Sequence, residues 1–199
     1  MSQSLTTLFL QPDNPCNCTI SLDGIPVYEV VTTHEPKTVT TVRNGAGEVI
    51  GSFEWRDVRS DVVTFGENGE TMSSGDWLKK SHLPFKDGIT FKNKQGKKFE
   101  WKGTQKGIQL FADHIHGKGP IARFRKSYGV LLDKSAGSPT RETVPAELIM
   151  DEEANAMRDE VVLSFILLEK DRRVHEEPAA AQGAFLGGAQ GAMWSAIAS

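Results

Sequence analysis

The chain has 199 residues, which is enough for one sizeable core or, at most, two small ones. Charged residues make up 25% of it and hydrophobic residues 38%, and the formal net charge of −3 indicates no particular partner. No stretch of about 20 strongly apolar residues occurs, which excludes a conventional transmembrane helix.

The N-terminal segment MSQSLTTLFLQPDNP lacks a basic region and a long apolar run, so it does not predict a secretory signal. We therefore expect an intracellular, cytoplasmic protein that can be peripheral at membranes. Cys16 and Cys18 follow in PCNC, too close together to link distant elements and too few to form a metal site unaided. We interpret them as reduced thiols at a strand edge; redox, metal or acyl-anchor roles are the alternatives.

From Leu5 to about Leu132, short alternating or β-branched stretches are separated by turn residues. Dipeptides of the kind that supply the positive φ of hairpin turns occur at Asp23-Gly24, Asn44-Gly45, Asn68-Gly69, Asp87-Gly88 and Gln95-Gly96. The predicted strands are TLFL, CTISL, VYEVVTT, KTVTTVR, EVIGSFEW, DVVTF, GITF, KKFEWKG, GIQLF, IARFRKS and GVLLD. About eleven short strands in one piece predict a β-sandwich or a β-barrel.

One phrase occurs twice, as FEWRDVRSDVVTF from Phe53 and as FEWKGTQKGIQLF from Phe99. In a strand, each Phe and Trp would lie on one face and the Glu between them on the other. A second Phe follows at the same distance in both copies, after a polar turn. We interpret each copy as a strand, turn and strand that put aromatics into the core and one acid outside. Chance similarity between two amphipathic strands is the alternative.

The C-terminal pattern is different. AELIM predicts one more strand, and DEEANAMRDEVVLSFILLEKDRR has acids at its start and bases at its end, as the helix dipole favours. Its middle, VVLSFILL, is apolar on every face, so a helix there has to be buried all round. We predict a central helix at about 153–173 that runs through a closed sheet. A buried strand is the competing interpretation.

Residues 1–175 are predicted to form a single domain, and the Ala/Gly-rich tail at 176–199 is predicted to be disordered or weakly helical. Small residues recur there at Gly183, Gly187 and Gly191. Contact between Trp194 and a membrane or a partner is the alternative for this tail.

The segments NPCNCTISLDGIPVYEVVT, GEVIGSFEW, KKFEWKG, PIARF and VVLSFILLEKDRR carry a resemblance that covers about Leu5 to Arg173. In their order the chain resembles a family of uncharacterised basidiomycete fungal proteins and, beyond it, the tubby C-terminal, LURP-one and phospholipid-scramblase group. The resemblance implies a mainly β fold, a closed antiparallel barrel of roughly twelve strands around one C-terminal helix. It also implies lipid or phosphoinositide binding, and it transfers no catalytic residue.

Charge is distributed unevenly along the chain. Between Lys79 and Lys126 there are 13 basic and three acidic residues, a net +10, and the remainder therefore carries −13. Basic residues alternate with Phe at strand period, which predicts a core face and a positive face. The candidate anion- or lipid-binding residues on that positive face are Lys92, Lys94, Lys98, Arg123, Arg125 and Lys126.

Three interpretations of the positive face stay open. It is a solvated strand face whose lysines discourage edge pairing, a surface for anionic membrane lipid, or a surface for another protein. Nucleic acid is disfavoured, because the aromatics that would stack on bases belong to the core.

His114 and His116 are the weak metal candidates, since alternate residues of an extended segment share a face. Two ligands do not make a site, and two solvated turn histidines are the simpler interpretation. There is no P-loop, G-x-G-x-x-G, G-x-S-x-G or H-E-x-x-H motif, so we expect no cofactor. The leading expectation is a non-catalytic intracellular binding module; a small metal protein or enzyme at these histidines and a protein interaction module are the alternatives.

Overall fold

A computed structural model describes residues 4–80, 88–104, 107–113, 119–131 and 141–193. The strands are β1 (Thr6–Gln11), β2 (Cys18–Leu22), β3 (Ile25–Thr33), β4 (Val39–Asn44), β5 (Val49–Glu54), β6 (Val62–Phe65), β7 (Thr71–Ser73), β8 (Lys79–Lys80), β9 (Gly88–Lys92), β10 (Lys98–Thr104), β11 (Gly107–Ala112), β12 (Ala122–Arg125), β13 (Tyr128–Leu131), β14 (Arg141–Val144) and β15 (Ala146–Met150). The helices are α1 (Ser74–Trp77), α2 (Glu152–Ala156) and α3 (Arg158–Met193).

The fold is mainly β, as predicted. Thirteen strands form one antiparallel sheet in the order β7-β6-β5-β4-β3-β2-β1-β15-β12-β11-β10-β9-β8, and β13 and β14 form a separate pair. Strand β15 joins the two halves of the large sheet, because it pairs with β1 on one side and with β12 on the other. The eleven predicted strands and AELIM are confirmed, GVLLD only as far as Leu131 because residues 132–133 lie outside the described ranges. Strands β7, β8 and β14 were not predicted.

The predicted turn chemistry is confirmed at the tip of the β2–β3 hairpin. Asp23 and Gly24 have φ values of 50° and 79°. Because consecutive positive φ values give the turn the twist that antiparallel strands need, this dipeptide fixes the hairpin locally. At the β9–β10 turn, Gly96 has a φ of 77°. The predicted positive φ at Gly45, Gly69 and Gly88 is wrong; in the β4–β5 and β6–β7 turns it lies at Gly47 (82°) and Gly66 (69°) instead.

The repeated phrase forms two hairpins, β5–β6 and β10–β11, as predicted. Phe53 of the first copy and both Phe99 and Trp101 of the second are buried in the core, whereas Trp55 of the first copy is only partly buried. The predicted exposure of the acid is wrong in the second copy, because Glu100 is only 7% exposed. Its side chain lies over Gly88 of the neighbouring strand, where an added Cβ would come 2.0 Å from Glu100 Oε1.

The apolar C-terminal run is a buried helix, and the buried-strand interpretation is wrong. Every residue from 161 to 169 lies within α3 and is buried. The helix contacts well-separated strands: Phe165 packs on Phe124 of β12 at 4.6 Å between ring centroids, and Trp101 of β10 donates to Ser164 Oγ at 3.0 Å. Tyr28 of β3 donates to Asp159 Oδ1 at 2.5 Å. The sheet therefore curls around α3.

The sheet is not closed, which corrects the predicted closed barrel. In the described part of the chain its order starts at β7 and ends at β8, and no ladder of hydrogen bonds joins these two edges. The intervening chain forms the single helical turn α1, in which the Leu78 N–H donates to the Ser74 oxygen at 2.8 Å. Since a helical turn takes the place of a hairpin turn, the two edges stay unpaired and leave a gap beside α1.

Helix α3 continues beyond the predicted end at 173, because its backbone is helical to Met193. The division into one domain and a separate tail stays a prediction. No helix within the described ranges is long and apolar enough to cross a membrane.

Candidate anion-binding site

The β9–β10 hairpin presents two of the predicted basic residues side by side. Lys92 and Lys98 are register partners, and both are exposed because the neighbouring Phe91 and Phe99 are buried. Two like charges directly opposite each other repel, and Lys98 is offset by Asp113, whose Oδ2 lies 3.3 Å from its Nζ. The hairpin therefore places positive charge at the surface with partial compensation.

Lys94 lies in the turn of this hairpin and is exposed. The turn is organised by the buried Asn93, whose Oδ1 accepts from the N–H groups of Gln95 and Lys97 at 3.1 and 2.9 Å. The Lys94 N–H donates to Glu160 Oε1 of α3 at 3.3 Å. Lys94 is therefore held near Lys92 and Lys98.

Strand β12 places Arg123 and Arg125 on its exposed face, with Phe124 buried between them. Arg125 is paired with the carboxylate of Glu147 on β15, its register partner, so most of its charge is neutralised. Lys126 is half-buried just after the strand. Of the three predicted residues here, Arg123 presents the most available charge.

The six predicted residues share one sheet but not one patch. Lys98 lies beside Asp113, the residue that follows β11, whereas Arg123 pairs with Gln109 of β11. Arg123 therefore lies about four residues, or roughly 13 Å, from Lys98 along the strand direction. It also lies two strands, or roughly 10 Å, across the sheet. Lys102 lies on the other side of Gln109 and was not among the predicted residues. Its place beside Arg123 depends on β10–β11 pairing, which the sequence does not encode locally.

A second positive region surrounds a cavity of about 850 Å³ beside α1, where the sheet is open. The cavity is bounded by α1 and β8 at the sheet edge, by residues 59–61 before β6, by β9–β11, and by residues 167–175 of α3. Its apolar lining consists of Leu78, Ile89, Trp101, Ile108, Leu167 and Leu168. Its charged lining consists of Arg59, Asp61, Lys79, Lys80, Lys102, Asp171 and Arg172, together with His175.

The mouth of this cavity is positive. Its five basic and two acidic side chains leave an excess of three positive charges with His175 neutral. Two of the bases are already paired: Lys102 Nζ lies 3.1 Å from Glu100 Oε2, and Arg172 lies 2.7 Å from Glu169 Oε1. Arg59, Lys79 and Lys80 are exposed and have no ion-pair partner among the described residues. No local pattern predicted this mouth, because its charged residues and His175 come from four separate segments.

An ionic cluster lies around residues 169–173 of α3, just after its buried run. Glu169 is 0% exposed and accepts from Arg172 and Arg173, and Arg173 also binds the carboxylate of Asp13. Burial alone would raise the Asp13 pKa, but hydrogen bonds from Arg173 and Ser127 outweigh it and leave that pKa below its ordinary value. The same contacts raise the pKa of Arg173 against the effect of burial. Because every charge has a partner, this cluster is structural.

The cysteine prediction of two reduced thiols matches free Cys16 and Cys18. Burial raises the pKa of Cys18 to about 12 and raises that of Cys16 as well, so both thiols are protonated near neutral pH. His114 and His116 lie outside the described residues. Within the described ranges, no group of three His, Cys, Asp or Glu side chains could hold a metal ion.

Comparison with known proteins gives a family but no activity. A family model described as "Family of unknown function (DUF6593)" matches residues 13–174, which is most of the chain. No curated protein matches. A solved structure described as a protein from Arabidopsis thaliana is 10% identical, with 86% of this chain and 93% of that chain covered, at a TM-score of 0.48. That likeness is too weak to carry an argument.

Proposed function

This chain belongs to the DUF6593 family of unknown function, and we propose that it is a non-catalytic binding module. In this proposal, basic residues on the outside of the sheet recognise the anionic headgroups of a membrane surface. The observation that carries the proposal is the exposure of Lys92, Lys98, Lys102 and Arg123 on the outer face of β9–β12. These four residues are called the outer face below.

Charge attraction is the expected mode of binding. Each Lys or Arg close to an anionic membrane surface contributes about 1 kcal/mol, and the contribution falls within a Debye length of about 8 Å at physiological salt. The aromatic neighbours Phe91, Phe99 and Phe124 are buried. The half-buried ring of Phe111 is covered by Lys102, whose Nζ lies 4.8 Å from the ring centroid, so the face offers charge with little stacking surface for bases. Lipid headgroups therefore suit this face better than single-stranded nucleic acid does.

The resemblance to the tubby C-terminal, LURP-one and scramblase group, and to fungal proteins in particular, belongs to this proposal. So do recognition of phosphoinositides and a peripheral location on intracellular membranes. The resemblance supports a lipid as the ligand, and the exposed charges of the outer face support the choice of binding residues.

The test is sedimentation with vesicles of neutral phospholipid alone and with added phosphatidylserine or phosphoinositide. The wild-type protein should bind the anionic vesicles at low salt and lose them as salt rises. The triple variant Lys92→Gln, Lys98→Gln, Arg123→Gln should bind about 100-fold more weakly, from roughly 1 kcal/mol per charge.

The matched control removes three positive charges from the other half of the sheet, with Lys37→Gln, Arg43→Gln and Arg56→Gln. It should retain most of the binding, because these residues precede β4, lie on β4 and follow β5. Equal losses in the two triple variants would mean that net charge alone governs binding. Absence of wild-type binding at low salt would also contradict the proposal.

A further inference from the structure

We propose that the cavity beside α1 binds a single-chain anionic amphiphile, with its hydrocarbon chain between the sheet and α3 and its carboxylate or phosphate at Lys79, Lys80 and Arg59. This site shares only Lys102 with the outer face, and it holds one molecule of ligand. It therefore goes beyond the membrane-surface binding proposed above.

The apolar lining selects a hydrocarbon chain. A cavity of about 850 Å³ is of the size that binds small ligands, typically about 300 to 1,000 Å³. Leu167 and Leu168 of α3 and Trp101 of β10 line this space, and all three are buried. The indole N–H of Trp101 is already bound to Ser164 Oγ at 3.0 Å, so it is not free to donate to a polar ligand. A polar ligand would lose its hydrogen bonds to water, whereas a chain gains by leaving water.

The mouth selects an anion. Arg59, Lys79 and Lys80 have no acidic partner among the described residues, while Lys102 and Arg172 are held by Glu100 and Glu169. Three basic side chains without an ion-pair partner, at the rim of an apolar space that also carries Asp61 and Asp171, favour a ligand with one anionic end and one apolar end.

The open edge of the sheet gives access. The cavity lies where β7 and β8 do not pair, and α1 borders it through Ser74 and Gly75. An added Cβ at Gly75 would meet nothing within 4 Å, so this side of the mouth is unobstructed. A chain can therefore enter without separating paired strands.

The first experiment tests whether the cavity binds the hydrocarbon part of the ligand. It uses isothermal titration calorimetry with octanoate, decanoate and dodecanoate below their micelle concentrations. The dissociation constant should fall about fourfold per methylene, or about 200-fold from octanoate to dodecanoate. Dodecyl phosphate is titrated in the same way, to compare a phosphate headgroup with the carboxylate of dodecanoate. The ligand with the lower dissociation constant identifies the preferred headgroup. Decanol, which lacks the charge, should bind at least tenfold more weakly than decanoate.

Two double variants, each lacking two lysine charges, locate the headgroup. Lys79→Gln with Lys80→Gln should weaken decanoate at least tenfold and leave decanol unchanged. Lys92→Gln with Lys98→Gln, on the outer face, should leave decanoate binding unchanged. Far-ultraviolet circular dichroism and thermal melting of both variants check that they are folded.

The results separate this inference from the proposed membrane binding. Binding of decanoate without vesicle binding would overturn the proposed function and support this site. Vesicle binding without saturable amphiphile binding would do the reverse. Affinity that does not depend on chain length, or an equal loss of decanoate in both double variants, would overturn the site.

Discussion

Replacing Gly51 by Ala in the middle of β5 should destabilise the protein by about 1 to 3 kcal/mol, because the added methyl group has no room. An ideal Cβ at this position would lie 2.9 Å from both Cδ atoms of Leu163 and 3.1 Å from the backbone oxygen of Thr64. Leu163 is 2% exposed on α3, so its side chain cannot move out into solvent. The substitution therefore tests whether α3 packs directly on the inner face of β5.

A double-mutant cycle makes the test specific. Leu163→Ala removes both crowding methyl groups and alone should cost about 2 to 5 kcal/mol, mainly through the cavity it leaves. In the double variant the methyl group added at position 51 fills part of that cavity. Its loss of stability should therefore be about 1 kcal/mol or more smaller than the sum of the two single losses.

The free energy of unfolding is measured by urea titration followed by tryptophan fluorescence, with the slope of each transition compared between variants. Gly75→Ala is the control, since an added Cβ there meets nothing within 4 Å and should change stability by no more than about 0.5 kcal/mol. Two results would refute the reasoning: Gly51→Ala as stable as wild type, or single losses that add to within about 0.5 kcal/mol.

Three further predictions concern the helix, the ionic cluster and the tail. Phe165→Asp should give no cooperatively melting protein, because Phe165 is 0% exposed and burying an unpaired charge costs more than the typical free energy of unfolding of about 5 to 15 kcal/mol. The control variant Phe165→Leu should fold. Because the pKa of Asp13 is lowered in the folded protein, the ionised carboxylate stabilises the fold above the ordinary pKa of 3.8, and this contribution is lost as pH falls through the folded pKa. The difference in free energy of unfolding between wild type and Asp13→Asn, measured by urea titration, should therefore shrink from pH 6 towards pH 3. Truncation after Glu177 should shift the melting temperature by no more than about 2 °C, since the continuous run of buried residues in α3 ends at 169; a larger fall would show that the removed segment packs on the domain.

The sequence predicted part of the candidate anion-binding site. Alternation of basic and aromatic residues correctly predicted that Lys98 and Arg123 are exposed while Phe99 and Phe124 are buried. It could not predict that Glu147 pairs with Arg125, because the two residues are 22 positions apart and meet only through the pairing of β12 with β15. A charge count along the chain therefore overstated the positive charge available on the outer face.

The sequence by itself determined the local elements and their faces, because side-chain period, turn dipeptides and an all-apolar run act within a few residues. The buried helix around Phe165 and the turn at Asp23 needed nothing more. Tertiary structure alone decided where the sheet ends, because β7 and β8 are too short to give a periodic signal and are strands only through their neighbours. The open edge, and the cavity beside α1 with a mouth that joins Arg59 to His175, depend on contacts between distant segments, and the free energy of those contacts has no local pattern in the chain.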